Sequence, residues 1–393
     1  MQEEKNSQKW QFPSIEILDE PVFSNDKPQD TEKNSKTIVE TLKSFNIVTE
    51  IDKVKINIGQ TYTRYQLNLK SATDISKIKE LGGNLALAVA SINGTIRIDA
   101  PIPGKDTLGI EIPNDIRQKV YFKTAIKNLT EKEPDSGLIF PLGLDVEYNL
   151  INTDIKKWPN ILIAGSTGSG KSIFLHNIIL SMLFTKTPDE VKLVLIDPKR
   201  VEFSHYKDIP YLLKPVINDM NEAVRILSWL IKEAKRREGI LSKANVETNT
   251  EYNKKVGKTE LPDILVINDT MEEIMEIDAV KTEAKIIKIA KISQKVGIHQ
   301  IFATSRPYAS VFTGLIRENI TTRAAFQTLN QISSRVTIDQ PGAEKLLGNG
   351  DMLFLPSDSM NPLRLQGSYI SLKETERVVG FVKKQATDLK NSG

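Results

Sequence analysis

The octapeptide GSTGSGKS, running from Gly165 to Ser172, carries the clearest chemistry in this sequence. It fits GxxxxGK[ST] in full, and its residues Gly165, Ser166, Thr167, Gly168, Ser169, Gly170, Lys171 and Ser172 form a candidate nucleotide-binding loop. The glycines permit backbone conformations that turn successive N–H groups inward into an anion nest. Lys171 can bridge the β- and γ-phosphates of a nucleotide, and the Ser172 hydroxyl can ligate Mg²⁺. A second candidate is Asp269, which ends ILVIND at 264–269 after four apolar residues and Asn268. An acid at such a strand end can hold Mg²⁺ through water. The plain alternatives are a chance Gly/Ser-rich turn and a strand-end Asp that caps a turn.

The loop has to lie between a strand and a helix, and the sequence supplies both. Ile161–Ala164 reads as a buried strand and 171–184 as a helix. Val191–Ile196, Ile264–Ile267 and Ile298–Thr304 are near-continuous apolar strands, the kind buried on both faces of a parallel sheet. Residues 221–244 and 279–295 read as helices, with KRRE at 235–238 on a solvated face and 245–261 as a polar surface loop. Strand–helix–strand repetition over 131–385 predicts an α/β doubly wound parallel sheet.

Ahead of it, 36–130 reads as a small α+β domain. Ile38, Val39, Leu42 and Phe45 fall at helical spacing behind Ser35 as a cap. Strands follow at Val54–Ile58 and Tyr65–Leu69, helical sequence at 75–91 with Gly82–Gly83 as a break, and short strands at Ile96–Ile98 and Gly109–Ile112 around the PIPGK turn at 101–105. The turn-rich EKEPDSG at 131–137 is a joint. Residues 1–35 are expected as a flexible arm and 386–393 as a tail.

Composition sets bounds. At about 150 residues per domain, 393 residues suggest two or three domains. Fifty-three Lys and Arg against 50 Asp and Glu leave +3, so any nucleic-acid contact must come from local patches. The absence of Cys excludes disulfides, thiolate catalysis and Cys-ligated metals. His176, His205 and His299 lie well apart, so a His-rich metal site is not expected. No stretch approaches 18 consecutive apolar residues, and the polar first ten residues do not read as a signal peptide. A cytoplasmic location is therefore the expectation.

Taken together these stretches resemble the FtsK/SpoIIIE family of hexameric double-stranded DNA translocases. The resemblance covers nearly all of 10–385. It rests on AGSTGSGKS, on LVLIDPKRVEFSHYKDIPYLLKPVINDM at 193–220, and on GIHQIFATSRP at 297–307. It also rests on TGLIRENITTRAAF at 313–326, IDQPGAEKLLGNGDMLF at 338–354, and APIPGK with IEIPN in the N-terminal part. It implies a RecA-like P-loop NTPase domain preceded by the family's small α subdomain. ATP and Mg²⁺ would be the cofactors, duplex DNA the partner, and a homo-oligomeric ring, a hexamer in this family, the working form. Neither the family's membrane domain nor its C-terminal winged-helix reader is recognised in the sequence.

The resemblance also marks departures. Where the family has the water-polarising Glu after the strand-end Asp, this sequence has Thr270, with Glu272 and Glu273 just beyond. A threonine hydroxyl is no base near neutral pH. Ser305 replaces the Gln that senses the γ-phosphate, and Gln294 stands where the family's arginine finger reaches a neighbour's ATP. A finger contributes roughly 10³–10⁵ in rate. The expectation is ATP–Mg²⁺ binding with slowed hydrolysis. The same resemblance points to Arg306, Arg317 and Arg335 as DNA contacts, with Gln331 where the family often has Lys, and to Arg323 as a residue facing a neighbour's nucleotide. For Arg317 and Arg335 the alternative is an ordinary surface ion pair.

Overall fold

The computed structural model describes residues 10–22, 30–47, 49, 54–68, 74–92, 94–100, 102, 107–116, 118–132, 137–145 and 147–392. Most of the PIPGK turn, most of the EKEPDSG joint, and the parts of the expected arm at 1–9 and 23–29 lie outside them.

The N-terminal unit contains α1 (Thr31–Ser44), β1 (Lys55–Ile58), β2 (Tyr62–Asn68), α2 (Ile75–Glu80), α3 (Gly82–Ala88), β3 (Arg97–Asp99) and β4 (Thr107–Pro113). Its antiparallel sheet has the order β1-β2-β4-β3. Alternate residues Leu108, Ile110 and Ile112 of β4 join Tyr65 and Leu67 of β2 in one core with Ile38, Val39 and Leu42 of α1. Asp30 caps α1 by accepting from Lys33 N, so Ser35, expected as the cap, sits inside the helix and is buried.

The larger unit adds α4 (Phe122–Lys132), β5 (Ile139–Leu144), β6 (Leu150–Asp154), β7 (Asn160–Ala164), α5 (Lys171–Thr185), β8 (Val191–Ile196), α6 (Met220–Ala244), α7 (Asn249–Val256) and β9 (Asp263–Asn268). Then follow α8 (Met271–Ile277), α9 (Ala279–Ala290), α10 (Ser293–Val296), β10 (Ile298–Thr304), α11 (Gly314–Asn319), β11 (Thr322–Phe326), α12 (Gln331–Ile338), β12 (Asp351–Leu355), β13 (Leu363–Gln366) and α13 (Leu372–Ser392). The sheet order is β6-β5-β13-β12-β11-β7-β10-β9-β8.

From β11 to β8 every pairing is parallel, whereas β11-β12, β12-β13, β13-β5 and β5-β6 are antiparallel. The parallel half is buried on both faces, which explains its continuous apolar strands. Ile161, Ile163, Leu193, Leu195, Leu265 and Ile267 face a core with α4, α5 and α13. The alternating Leu162, Ala164, Val194, Ile196, Ile264 and Val266 face a second core with α6, α8, α9 and α11. Each fully buried side chain of this kind contributes about 1.5–3 kcal/mol.

Several expectations change here. Helix α4 lies within the segment assigned to the small domain, yet Phe122, Ile126 and Leu129 pack into the large core. The polar stretch 245–261 contains α7, which Thr248 caps by accepting from Glu251 N. The helix expected at 279–295 divides into α9 and α10, and the expected tail continues α13. In KRRE, Arg237 is buried. Its guanidinium donates to Pro262 O (2.7 Å), Val296 O (2.8 Å) and Glu233 Oε1 (2.8 Å). Residues 10–22 lie against the large unit through Trp10 on Tyr211, buried Leu18, and a hydrogen bond from Arg377 to Asp19 (2.5 Å).

Candidate nucleotide-binding site

Strand β7 ends in the middle of the parallel half, between β10 and β11, and the glycine loop leaves from its C-terminal edge. Open α/β sheets bind ligands at that edge. The loop is pinned from both sides, since Gly165 N donates to Thr304 O (3.3 Å) and Ser166 N donates to Gln327 O (2.7 Å). Gly170, with φ +116°, is a position only glycine fills. A Cβ there would stand 2.5 Å from Gly350 N, and Gly350 N itself donates to Ser169 O (2.8 Å). Lys171 Nζ donates to Gly165 O (2.7 Å) and Ser166 O (3.0 Å), which folds the ammonium across the mouth of the cradle. Burial pushes its pKa down, and the nearby carboxylates of Asp269 and Glu272 oppose that shift. Ser169 Oγ is buried without a hydrogen-bond partner among the described residues. The first N–H groups of α5 have no intrahelical acceptors and add the positive end of the helix dipole.

Asp269 follows β9, with only β10 between that strand and β7. Burial raises its carboxyl to about 7. Glu202 and Asp197 push the same way and Lys171 pushes back. This edge therefore holds more acid than its own cations offset, and a divalent cation fits it. Among the described residues no group of three or more His, Asp or Glu could hold a metal ion alone. Mg²⁺ would rest on Ser172, Asp269 and the phosphates, which is its usual way of binding.

A cavity of about 400 Å³ opens beside the cradle. Gly168, Gly170 and Asn177 line one side, and Asn349, Tyr369 and Lys119 line the other, with Lys119 Nζ 4.0 Å from the Tyr369 ring centre. Its size suits a nucleoside. These residues come from four separate stretches, so no local sequence signal announced them.

The other candidate residues divide by position. Thr270 and Ser305 lie at the cradle's edge, Thr270 buried with its hydroxyl unpartnered among the described residues. Gln294 is exposed on α10, ahead of the start of β10. At about 3.3 Å per residue the seven residues of β10 put it roughly 20 Å from the loop. Gln294 therefore cannot serve its own chain's site. Arg306 and Arg335 are exposed. Arg317 pairs with Asp339 (2.7 Å), and buried Arg323 binds the same Asp339 and donates to Arg317 O (2.9 Å). The ion pair foreseen as the plain alternative for Arg317 is thus present.

The site is joined to the small domain through buried charge. Arg364 on β13 holds Asp351 (2.7 Å) and Glu111 of β4, with its guanidinium carbon 3.8 Å from the ring centre of Tyr62. Glu111 also accepts from Arg64 Nε (2.9 Å) and Arg97 Nη1 (3.1 Å). Asp351 accepts from Leu347 N (2.8 Å), which opens the loop whose Gly350 touches the cradle.

A glycine cradle on a central β-strand, opposed by a half-buried acid two strands away, defines a RecA-like P-loop nucleoside triphosphatase fold. The chain belongs to the FtsK/SpoIIIE family. The sequence pattern of that family matches residues 123–309, and that of the FtsK alpha domain matches 12–114. The chain is 38% identical over 383 residues to the DNA translocase FtsK of Clostridium tetani, covering 96% of this chain and 51% of that protein. It is 39% identical over 379 residues to the DNA translocase SftA of Bacillus subtilis, covering 95% and 39%. It thus spans about half the length, or less, of the curated relatives it matches. In fold it is similar to the conjugation coupling protein TcpA of pCW3, solved in a monomer form with ATPγS. There the TM-score is 0.62 at 20% identity over 90% of this chain and 99% of that one. ATPases 2 and 3 of EssC from Geobacillus thermodenitrificans align with a TM-score of 0.57 at 18% identity, over 65% of this chain and 51% of that one. Among the described residues no helix is long and apolar enough to cross a membrane.

Proposed function

We propose that this chain is the motor core of an ATP-driven duplex-DNA translocase, working in the cytoplasm as a ring of identical subunits, six by family resemblance. The observation that carries the reading is the cradle of Gly165–Ser172 facing an acid-rich edge that is short of cations. The loop N–H groups and the start of α5 bind the triphosphate. Lys171 exchanges its two loop carbonyls for β- and γ-phosphate oxygens. Ser172 and Asp269 hold Mg²⁺, which when bound offsets triphosphate charge and polarises the γ-phosphoryl group. The cavity beside Asn177 and Tyr369 takes the nucleoside. Gln294, ahead of the start of β10, faces a neighbour's site in the ring, and Arg323, level with Leu162 on β11 and held by Asp339, does so only on leaving that acid. Arg306, exposed on the loop after β10, and Arg335, exposed on α12 beyond β11, contact DNA phosphates, while Arg317 does so only on leaving Asp339. Phosphate contacts carry no sequence information, as a motor on arbitrary DNA requires.

A second reading is a ring subunit that binds ATP without useful turnover. Thr270, Ser305 and Gln294, at positions where the family places a base, a sensor and a finger, favour it. Steady-state ATPase activity with and without long duplex DNA separates the two. DNA-stimulated turnover is the result expected of the motor; its absence in protein that binds ATP leaves the second reading standing.

A further inference from the structure

We propose that Glu272 is the carboxylate that accepts the proton of the attacking water, in place of the absent acid at position 270. This rests on the ATP-hydrolysing reading above and assigns one of its roles. Glu272 is the second residue of α8, a short helix anchored by buried Met271, Ile274 and Met275 beneath the parallel sheet. It is 7% exposed, and a buried carboxylate is rare unless something holds it. What holds it is Thr304, the last residue of β10, whose hydroxyl donates to Glu272 Oε2 at 2.6 Å. The Thr304 hydroxyl also accepts from Arg306 N (3.0 Å), and the Thr304 carbonyl accepts from Gly165 N (3.3 Å). A single threonine therefore ties the first residue of the phosphate cradle to this carboxylate. The ammonium of Lys171 feels Glu272 more than any other acid except Asp269.

The other acids at this edge are differently engaged. Glu273 faces Lys199 at 3.7 Å, with a side chain that is 30% exposed. Glu202 lies beyond β8, the outermost strand, 3.8 Å from His176 Nε2. Asp269 is committed to the metal in the reading above. Thr270 has no basic group, and its hydroxyl is buried. In the step assigned to Glu272, the water oxygen bonds to the γ-phosphorus as the bond from that phosphorus to the β,γ-bridging oxygen breaks. ADP leaves with the electron pair, and the water proton passes to Glu272 and then to solvent.

The test compares wild type with Glu272→Gln, Glu272→Asp, Thr304→Val and Glu273→Gln. It reads single-turnover ATP hydrolysis on duplex DNA, affinity for a fluorescent ATP analogue, thermal midpoint, and the nucleotide retained after gel filtration. Glu272→Gln keeps an acceptor for Thr304 and is expected to hydrolyse at least about 100-fold more slowly. Its nucleotide affinity should stay within about threefold, and it should elute carrying ATP where wild type carries ADP. Thr304→Val, which frees the carboxylate, is expected to lose about tenfold, and Glu273→Gln less than about twofold. Hydrolysis by Glu272→Gln close to the wild-type rate would overturn the assignment and leave the motor reading intact. So would equal loss of affinity and thermal midpoint in Glu272→Gln and Glu272→Asp, since that marks a structural acid. Wild type that binds ATP and never cleaves it, with or without DNA, would remove the motor reading and this assignment together.

Discussion

Glu111, in the junction between the two domains, and Asp269, at the mouth of the cradle, are both carboxylates withdrawn from water, and their neighbours treat them oppositely. Burial alone would raise both pKa values. At Glu111 three arginines, from β2, β3 and β13, more than reverse that effect and hold the carboxyl far below the usual range. At Asp269 the nearest company includes Glu202 and Asp197, and the value climbs to about 7. One cluster is closed on itself and joins parts of the chain. The other is left short of positive charge, and a ligand completes it. Between them stands Asp339, a single acid shared by Arg317 and Arg323, where the surplus is positive.

Substitutions can break this contrast, and the largest effect belongs to the closed cluster. Arg364→Ala strands Glu111 and Asp351 in the junction and should cost about 3–5 kcal/mol in denaturant unfolding. A loss under about 1 kcal/mol would show that water or the other arginines already carry the charge. Asp269→Asn should act with the opposite sign on the ligand-free protein, raising its stability by on the order of 1 kcal/mol, while Mg²⁺-dependent nucleotide affinity collapses. Calorimetry in the presence and absence of Mg-nucleotide reads both effects, and a destabilised ligand-free variant would contradict the surplus of acid.

A pH effect probes the closed cluster from the acid side. The folded-state pKa of Glu111 is lowered, so its contribution is fully present above the unfolded value of about 4.3 and drains away as pH falls below it. Glu111→Gln should flatten the free energy of denaturant unfolding against pH in that acid range by up to about 1.4 kcal/mol per pH unit. An unchanged slope would place the acid sensitivity elsewhere. The least effect is expected from single DNA contacts. Arg306→Ala and Arg335→Ala should each reduce the salt slope of DNA binding by about one, and Arg317→Ala by less, because Asp339 already engages it. Equal slopes for all three would mean that the Asp339 pair opens at no cost.

The cradle, the strand-end acid and the central parallel strands were legible because each is local. A glycine spacing, an apolar run and a terminal Asp need no knowledge of the rest of the chain. The antiparallel half of the large sheet was not legible, because it is two hairpins, β5-β6 and β12-β13, joined by a pairing of Gln366 with Leu144 that no local signal announces. Polar composition hid α7, whose local signals are the Thr248 cap at its start and Gly257 at its end. The basic run at 235–238 read as solvated because charge patterning cannot show that Val296 and Pro262 present carbonyls to Arg237. The site shows the same limit. Glu272 was visible as an acid near Asp269, but what makes it more than a surface glutamate is Thr304, thirty-two positions away.

The meeting of Gly170 with Gly350 has a mechanical consequence. Two main chains touch there with no side chain between them, so there is no soft cushion to absorb movement of the cradle. Any displacement of the cradle therefore presses on the turn ahead of β12, next to Asp351, which Arg364 ties to Glu111 of the far domain. The stiffness of that linkage comes from atoms that are missing, and a single methyl group added at Gly170 would jam it against Gly350.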